Sequence, residues 1–213
     1  MKTLYMDFDF ISPYAWLAFA SLPQALQGIS HEVVYRPVLF GGLLKHHGQL
    51  GPAEIPAKRD WTYRQVLWQA RALGIELRLP AAHPFNPLGL LRLALACDAR
   101  GLPNRYVCEK IFRHVWCTGL EAADPDRLRA LTDELSPLRD PDSPEVKQQL
   151  QEHTASAVSL GEFGVPAWRL GDKQFWGLDA LPMVRACMTG DGWFDGPDWQ
   201  APQSCAVGVR RQL

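Results

Sequence analysis

The sequence predicts an α/β fold in which an all-helical segment interrupts a small sheet. Three observations lead to this prediction. Residues 1–40 alternate between strand-like and helix-like patterns. Residues 41–160 show helical periods punctuated by prolines, with little strand signal. Two short strand-like runs and a final helix-like run follow, so the predicted order is β-α-β, a helical block, and β-β-α.

The first strand is predicted over residues 4–10, which are aromatic and apolar with Asp at alternate positions. Ser12-Pro13 follows as a helix start, with Ser as N-cap and Pro at the first helical position. This helix should run through residue 18, with a kink or restart at residues 21–23 because proline donates no backbone hydrogen bond. The β-branched, alternating residues 31–38 predict the second strand.

About five helices are predicted in the next segment. Residues 57–73, 88–100 and 106–117 each have helical periodicity and end at or near a glycine. Two more helices should begin at Asp124-Pro125 and Ser143-Pro144, each a capping residue followed by proline.

Residues 167–170 and 174–176 predict a β-hairpin, because the turn dipeptide Gly171-Asp172 separates them. A last helix should begin at Asp179 or Leu181 and end near residue 188. Residues 191–213 begin with a stretch rich in Gly, Pro and Asp, and we expect these residues to form a loosely packed C-terminal tail.

Composition excludes several classes of protein. The 213 residues are 47% hydrophobic and 21% charged, as in soluble globular proteins. A net charge of −1 without a basic run disfavours nucleic acid or a membrane surface as a partner. The five cysteines form no C-x-x-C pair, and Asp7 and Asp9 interrupt any signal-peptide core. We expect a cytoplasmic protein with reduced thiols.

Ser12 is the main candidate for chemistry. A helix start concentrates free N–H groups and the positive end of the helix dipole, which stabilise a thiolate, an oxyanion or a carboxylate. The alternative is that Ser12 only caps the helix. A hydrolase dyad with a histidine and a metal site at His46-His47 have little support, since neither has the accompanying residues.

The segment from Asp9 to Tyr14 resembles the signature of 2-hydroxychromene-2-carboxylate isomerases and the related kappa-class glutathione transferases. The resemblance spans nearly the whole chain up to about residue 188. It implies a thioredoxin-like fold with an all-helical insertion domain, as in DsbA-type oxidoreductases, whose two cysteines are here Ser12 and Ala15. The thioredoxin-like domain would comprise residues 1–40 and 161–190, and the insertion residues 41–160.

Glutathione is the cofactor that this resemblance implies, with Ser12 hydrogen bonded to its thiolate. Pro166 would be a cis-proline facing the helix start, and Val165 would offer its backbone to the cysteinyl part. The segment Gly177, Leu178 and Asp179 would bind the γ-glutamyl end. Asp179 could instead be a helix N-cap. The family has Arg after this Asp, whereas this chain has Ala180.

The resemblance places the substrate-binding residues at Lys45, Lys58, His83 and Asn86. A solvated surface role for the lysines and histidine, and a helix-capping role for Asn86, are the alternatives. The helix that begins near Lys58 departs from the family, which has Tyr, Asp and Arg where this chain has Trp61, Gln65 and Trp68. These departures predict a more apolar cavity.

The expected function is a glutathione-dependent cis-trans isomerase of a small compound of aromatic catabolism, active as a homodimer. A kappa-like glutathione transferase is the first alternative, and a non-catalytic thiol or peptide binder is the second. Trp61, Trp68 and Trp116 favour an enzyme with an acceptor pocket over a bare binder. Dithiol exchange is disfavoured because Ala15 supplies no resolving thiol.

Overall fold

A computed structural model describes residues 1–206 and 208–209 of the chain. Its sheet has four strands in the order β2-β1-β3-β4. β1 pairs in parallel with β2, and β3 is antiparallel to both β1 and β4. The predicted β-α-β, helical block, β-β-α order is confirmed. The strands are β1 (Lys2–Phe8), β2 (His31–Pro37), β3 (Ala167–Leu170) and β4 (Lys173–Trp176).

The helices surround this sheet and form the block between β2 and β3. They are α1 (Pro13–Ala25), α2 (Phe40–His46), α3 (Pro56–Leu73), α4 (Leu88–Ala96), α5 (Arg105–Trp116), α6 (Pro125–Leu135), α7 (Pro144–Ser159), α8 (Leu181–Met188) and α9 (Pro197–Gln200). The sequence analysis missed α2, whose Gly41-Gly42 pair is unfavourable in a helix. Gly42 is needed there, since a Cβ on it would lie 2.8 Å from the Thr154 methyl group of α7.

α1 is continuous from Pro13 to Ala25, so the helix does not restart at residues 21–23. Pro23 lies inside the helix and cannot donate to the carbonyl of Phe19. The Arg105 guanidinium donates two hydrogen bonds of 3.4 Å to that carbonyl and lies 4.2 Å from the centre of the Phe19 ring. A side chain from α5 therefore satisfies the acceptor that proline leaves free.

Two predicted boundaries also shift. β1 ends at Phe8 rather than at residue 10, and α4 ends at Ala96 rather than at residue 100. After α4, the Asp98 carboxylate accepts hydrogen bonds from the N–H groups of Arg100 and Leu102. This local turn competes with continuation of the helix.

The expectation of a loosely packed tail is wrong for its first part. Residues Gly192–Asp195 form a 3₁₀ turn, and α9 follows. Phe194 is buried, and its ring centre lies 5.8 Å from that of Phe175 on β4 and 5.3 Å from that of Trp199. Aromatic burial fixes this segment despite its Gly- and Pro-rich sequence. Residues 207 and 210–213 of the predicted tail lie outside the described part of the chain.

One apolar core extends from the sheet into the helical block. Phe112 of α5 connects them, because its ring packs 4.8–5.9 Å from those of four aromatic residues, namely Phe8, Phe10, Trp16 and Phe19. No described helix is both long and apolar enough to cross a bilayer.

Candidate active site

Ser12 lies between the end of β1 and the start of α1, as the sequence predicts. Its side chain is buried, with 7% of the residue exposed. The Oγ atom accepts a hydrogen bond of 3.2 Å from Ala15 N–H, and the hydroxyl donates a long one of 3.4 Å to the Val165 carbonyl. Ser12 is therefore an N-cap that also touches the second predicted motif, 153 residues away in sequence.

The Val165-Pro166 peptide bond is cis, as the resemblance implies. The N–H groups of Val165 and Tyr14 have no acceptor within the described ranges. Together with the positive end of α1, these two donors suit an anionic or polar ligand beside the Ser12 hydroxyl. A cysteinyl group with its flanking peptide bonds has the matching acceptors, so the site fits the predicted role.

The third predicted motif meets the second through a backbone hydrogen bond. Gly177 N–H donates to the Pro166 carbonyl at 2.9 Å, and the Trp168 indole donates to the Gly177 carbonyl at 2.9 Å. Gly177 has a φ of 94°, in the region that favours glycine. Gly177 thus turns the chain out of β4 toward α8 at the edge of the site.

Asp179 does not cap α8. The helix begins at Leu181, its N-cap is Ala180, and no side chain caps it. The Asp179 side chain is exposed, and its negative charge acts on Tyr14. Burial raises the pKa of the Tyr14 phenol, and the charge of Asp179 raises this pKa further. A free carboxylate near Tyr14 is available to pair with an ammonium group.

Asp9 fixes the turn that presents Ser12, and the sequence analysis did not assign it this role. It is fully buried, and its two carboxylate oxygens accept hydrogen bonds from the N–H groups of Ile11 at 3.1 Å and Phe40 at 2.9 Å. Its carbonyl accepts from Ser12 N–H at 3.1 Å. Burial raises the pKa of Asp9 to about 7, against the opposing effect of these hydrogen bonds.

His83 also lies at this turn, but both of its ring nitrogens bond to protein groups. Nε2 is 2.8 Å from the Ile11 carbonyl, and Nδ1 is 2.7 Å from the Tyr63 hydroxyl. Neutral His83 that donates from Nε2 and accepts at Nδ1 satisfies both contacts. Burial lowers the pKa of His83, which favours this neutral form. The geometry therefore makes His83 a support for residue 11.

The other predicted substrate-binding residues are more dispersed. Lys58 is exposed in the first turn of α3 and forms no ion pair within the described ranges. Asn86 accepts a hydrogen bond of 3.1 Å from Leu88 N–H, but it lies one residue before Pro87, which is the N-cap of α4. Lys45 is exposed at the end of α2 and lines a groove of about 850 Å³ with Arg92 and Lys147. Lys58, His83 and Asn86 do not line that groove.

One face of α3 carries the departures from the family pattern. Gln65 accepts a hydrogen bond of 2.7 Å from the Tyr14 hydroxyl, which brings this face to the Ser12 turn. Trp61 and Trp68 flank Gln65 at helical spacing and are 63% and 68% exposed. Trp116, the third tryptophan of the insertion, is instead fully buried and donates to the Phe10 carbonyl at 2.9 Å, so it is part of the core.

Sequence reasoning missed Asp9, Tyr14 and Tyr63 as parts of the site. A signal for Asp9 was present, because a strand rich in aromatic residues carries an Asp three residues before the N-cap. Tyr63 and Gln65 had no such signal, since their contacts depend on how α3 packs.

Three of the cysteines in the described ranges are poorly suited to thiol chemistry, and the described side chains form no metal site. Burial raises the pKa values of Cys97 and Cys117 to about 11, and that of Cys108 well above its ordinary value. Such thiols are poor nucleophiles. No group of three or more His, Cys, Asp or Glu side chains in the described residues could hold a metal ion.

Known proteins share this architecture. Glutathione S-transferase kappa 2 of Caenorhabditis elegans is 28% identical, over 86% of this chain and 90% of its own length. A 2-hydroxychromene-2-carboxylate isomerase of Pseudomonas putida is 29% identical, over 85% of this chain and 91% of its own. A solved structure of a 2-hydroxychromene-2-carboxylate isomerase shares the fold, with a TM-score of 0.76, 24% identity, and coverage of 95% of this chain and 100% of that one.

The family model described as the DSBA-like thioredoxin domain matches residues 3–188. This match covers the sheet, α1 to α8 and the candidate active site. The chain therefore belongs to the DSBA-like thioredoxin domain family.

Proposed function

We propose that this protein is a glutathione-dependent isomerase of a small aromatic compound. The observation that carries the proposal is the Ser12 hydroxyl, placed between Ala15 N–H and the Val165 carbonyl where the DsbA-type pattern has its first cysteine. The similarity to isomerases and glutathione transferases supports a glutathione-related enzyme. A homodimer and a cytoplasmic location belong to the same proposal.

The residues around Ser12 have complementary tasks in binding. Val165 would pair its backbone N–H and C=O with the cysteinyl part of glutathione, beside the cis Pro166. The exposed Asp179 carboxylate, in the turn that begins at Gly177 and Leu178, would hold the γ-glutamyl ammonium group. Ala180 leaves this end without the arginine that the family pattern contains, so Asp179 carries more of the binding there.

The Ser12 hydroxyl and the start of α1 would lower the pKa of a thiol placed beside them, because both favour the charged form. Bound glutathione would supply a thiolate nucleophile that is regenerated after each isomerisation. Ser12 can turn its proton from the Val165 carbonyl toward that sulfur, since the existing hydrogen bond is long. Asp9 and the pair Tyr63 and His83 hold the turn in place while this happens.

Trp61 and Trp68 support an aromatic acceptor. They flank Gln65, whose contact with Tyr14 connects this face of α3 to the Ser12 turn. With neutral residues at positions 65 and 68, an acceptor with fewer negative charges should be preferred, and a hydroxychromene-carboxylate should turn over slowly. Lys58 is the candidate partner for a single carboxylate or phenolic oxygen.

The test follows both the thiol and the substrate. The enzyme is mixed with glutathione and a hydroxychromene-carboxylate, and chromatography monitors isomers while a thiol assay monitors glutathione. We expect a change in isomer ratio at constant thiol concentration. Loss of one thiol per acceptor molecule, without a product isomer, would contradict the isomerase and identify a kappa-like transferase. No reaction despite glutathione binding would favour a non-catalytic binder.

A further inference from the structure

A group of charged residues, three of them buried and one partly buried, lies next to the Val165 turn and takes no part in the proposed chemistry. We call it the Asp7 cluster and define it as Asp7 of β1, Arg36 of β2, Arg169 of β3 and Glu162 of the loop before Val165. Asp7 is 2% exposed and Glu162 is 5% exposed. Buried charges of this kind are costly unless they are paired, so their pairing is informative.

The arginines pair incompletely with the two carboxyl groups. Arg36 Nη1 lies 3.6 Å from Asp7 Oδ2, which is too long for a good hydrogen bond. The Arg169 guanidinium lies 4.0 Å from the centre of the Tyr5 ring, where it makes a cation–π contact. Within the described ranges, both oxygens of Asp7 and Oε2 of Glu162 are buried without a hydrogen-bond partner.

These observations favour a proton in the cluster. Asp7 and Glu162 each affect the pKa of the other. Two carboxyl groups that interact in a buried place cannot both ionise easily, and a proton on one of them can be shared with the other. Burial, followed by the charge of Asp7, raises the pKa of Glu162 to about 8. Burial also raises the pKa of Asp7, although Arg36 and Arg169 oppose this.

Two histidines also lie beside the Asp7 cluster. His153 of α7 lies near Arg36, with Nδ1 3.2 Å from the Pro37 carbonyl, and burial lowers the pKa of this histidine. His47, which follows α2, contacts the backbone of Glu162, with Nε2 3.0 Å from its carbonyl. Neither contact supplies a partner for the carboxyl oxygens.

The cluster is connected to the candidate active site by tight packing. A Cβ on Gly164 would lie 2.6 Å from Trp176 Nε1, so the indole rests directly on the loop. The Phe163 ring packs against the same indole at 4.9 Å between ring centres. The next residue, Val165, accepts the Ser12 hydrogen bond. Glu162 lies in the same loop, immediately before Phe163, so we expect a movement of Glu162 to shift both Trp176 and Val165.

We propose that Asp7 and Glu162 share one proton and are positioning residues for the Val165-Pro166 turn, which loss of the proton displaces from Ser12. The structural part of this inference concerns the chain alone. Its consequence for ligand binding rests on the proposed function.

Tryptophan fluorescence of the ligand-free protein tests the structural part. We expect the emission of the wild type to change with a midpoint near pH 8, and the change to vanish in W176F. It should also be absent in E162Q, which keeps the shape of the side chain but cannot ionise, and in D7N. E145Q removes an exposed carboxylate from α7 and should behave as the wild type.

An emission that does not titrate in the wild type, or that titrates equally in E162Q and D7N, would overturn the inference. Two variants are used so that misfolding of one leaves the other informative, with circular dichroism as the check on folding. This measurement needs no glutathione, so it decides the matter even if the proposed function is wrong.

Calorimetric titration with S-methylglutathione at pH 7 and pH 9 tests the effect on the site. The S-methyl group blocks the thiol, so the ligand sulfur cannot ionise. Ionisation of the ligand amine affects binding to both proteins equally and cancels when their changes in Kd are compared. We expect the Kd of the wild type to rise about tenfold more than that of E162Q between the two pH values. Equal changes would overturn the positioning role even if Trp176 titrates. Absence of binding to both proteins at both pH values would contradict the proposed function and leave the fluorescence result as the test of the cluster.

Discussion

The Ser12 hydroxyl lies between the Ala15 N–H and the Val165 carbonyl, where a bound thiolate would gain a hydrogen-bond donor. We expect S12A to lower turnover by about ten- to a thousandfold, because donors aimed at developing charge are typically worth a few kcal/mol. Glutathione affinity should change little, since most predicted contacts lie at Val165 and Asp179. Steady-state kinetics and calorimetry measure the two quantities.

Ser21 offers a matched control within α1. Its hydroxyl is buried without a hydrogen-bond partner in the described ranges, so S21A should keep both activity and affinity. Unchanged turnover in S12A would reduce Ser12 to a helix cap.

The raised pKa of Asp9 leads us to expect a specific pH dependence of the free energy of unfolding. Its pKa of about 7 in the folded state exceeds the ordinary 3.8, so the folded protein binds more protons than the unfolded chain between these values. The free energy of unfolding contributed by Asp9 therefore falls as pH rises from about 4 to 7, by roughly 4 kcal/mol if the whole rise applies. Asp9→Asn should remove most of this fall.

Urea unfolding at pH 5 and pH 8 measures the effect, as the difference between the variant and the wild type. This comparison is needed because other groups also titrate, including the buried His83, whose lowered pKa acts in the opposite direction. The exposed Asp133 gives the control D133N, which should retain the pH dependence of the wild type. An equal fall in the wild type and D9N would contradict the role assigned to Asp9.

Residues with local signals were predictable. Ser12-Pro13 determines a helix start by its own chemistry, whereas the cis Val165-Pro166 bond was expected only from the family resemblance. Tyr63 and His83 obtain their roles from contacts 20 and 72 residues apart in sequence, which a local pattern does not contain. For Asp9 a local signal was present, but its contact with Phe40, 31 residues away, could not be predicted from it. The site-residue assignments themselves remain predictions.

At the scale of elements, several boundaries that a cap, a proline or a glycine marks were predicted correctly. α3 ends at Leu73 before the left-handed Gly74, and α6 and α7 begin at the predicted prolines. Boundaries determined by tertiary contacts were missed. α1 continues through Pro23, and the Phe19 carbonyl that proline leaves free accepts hydrogen bonds from Arg105 of α5. A local sequence pattern does not show this contact.

The segment after α8 gives the clearest test at this scale. Phe194 is 4% exposed and packs against Phe175 and Trp199. We expect Phe194→Ala to destabilise the protein by about 3–5 kcal/mol, because it creates a cavity under β4. Leu138→Ala removes a side chain that is 71% exposed and should change stability by less than about 0.5 kcal/mol. Urea unfolding measures the free energy of unfolding of both variants. Similar losses in the two variants would contradict this packing of Phe194.

At the scale of the whole molecule, the site joins segments that are far apart in sequence. Residues near positions 12, 83, 165 and 179 lie together in the fold. The helical block separates β2 from β3 in sequence, but both strands belong to the same sheet. The order of elements could be predicted from periodicity, whereas the continuity of the core across Phe112 could not. The division into a discontinuous domain and an insertion stays a prediction.

Glutathione binding should stabilise the whole molecule. Binding to the folded state alone contributes about 2.7 kcal/mol at a hundredfold excess over Kd, which raises Tm by roughly 5–10 °C for a chain of this size. Differential scanning fluorimetry measures the shift. The same tripeptide with alanine in place of cysteine is the control, and it should stabilise less because it lacks the thiol. No shift at millimolar glutathione would count against both the isomerase and the kappa-like transferase.

The most direct measurement is a crystal structure of the protein with glutathione. We predict its sulfur within about 3.5 Å of Ser12 Oγ, its cysteinyl backbone paired with Val165, and its ammonium group beside Asp179. The opposite wall of the site should contain the face of α3 with Trp61 and Trp68. Glutathione bound elsewhere, or with its sulfur directed away from Ser12, would contradict the account.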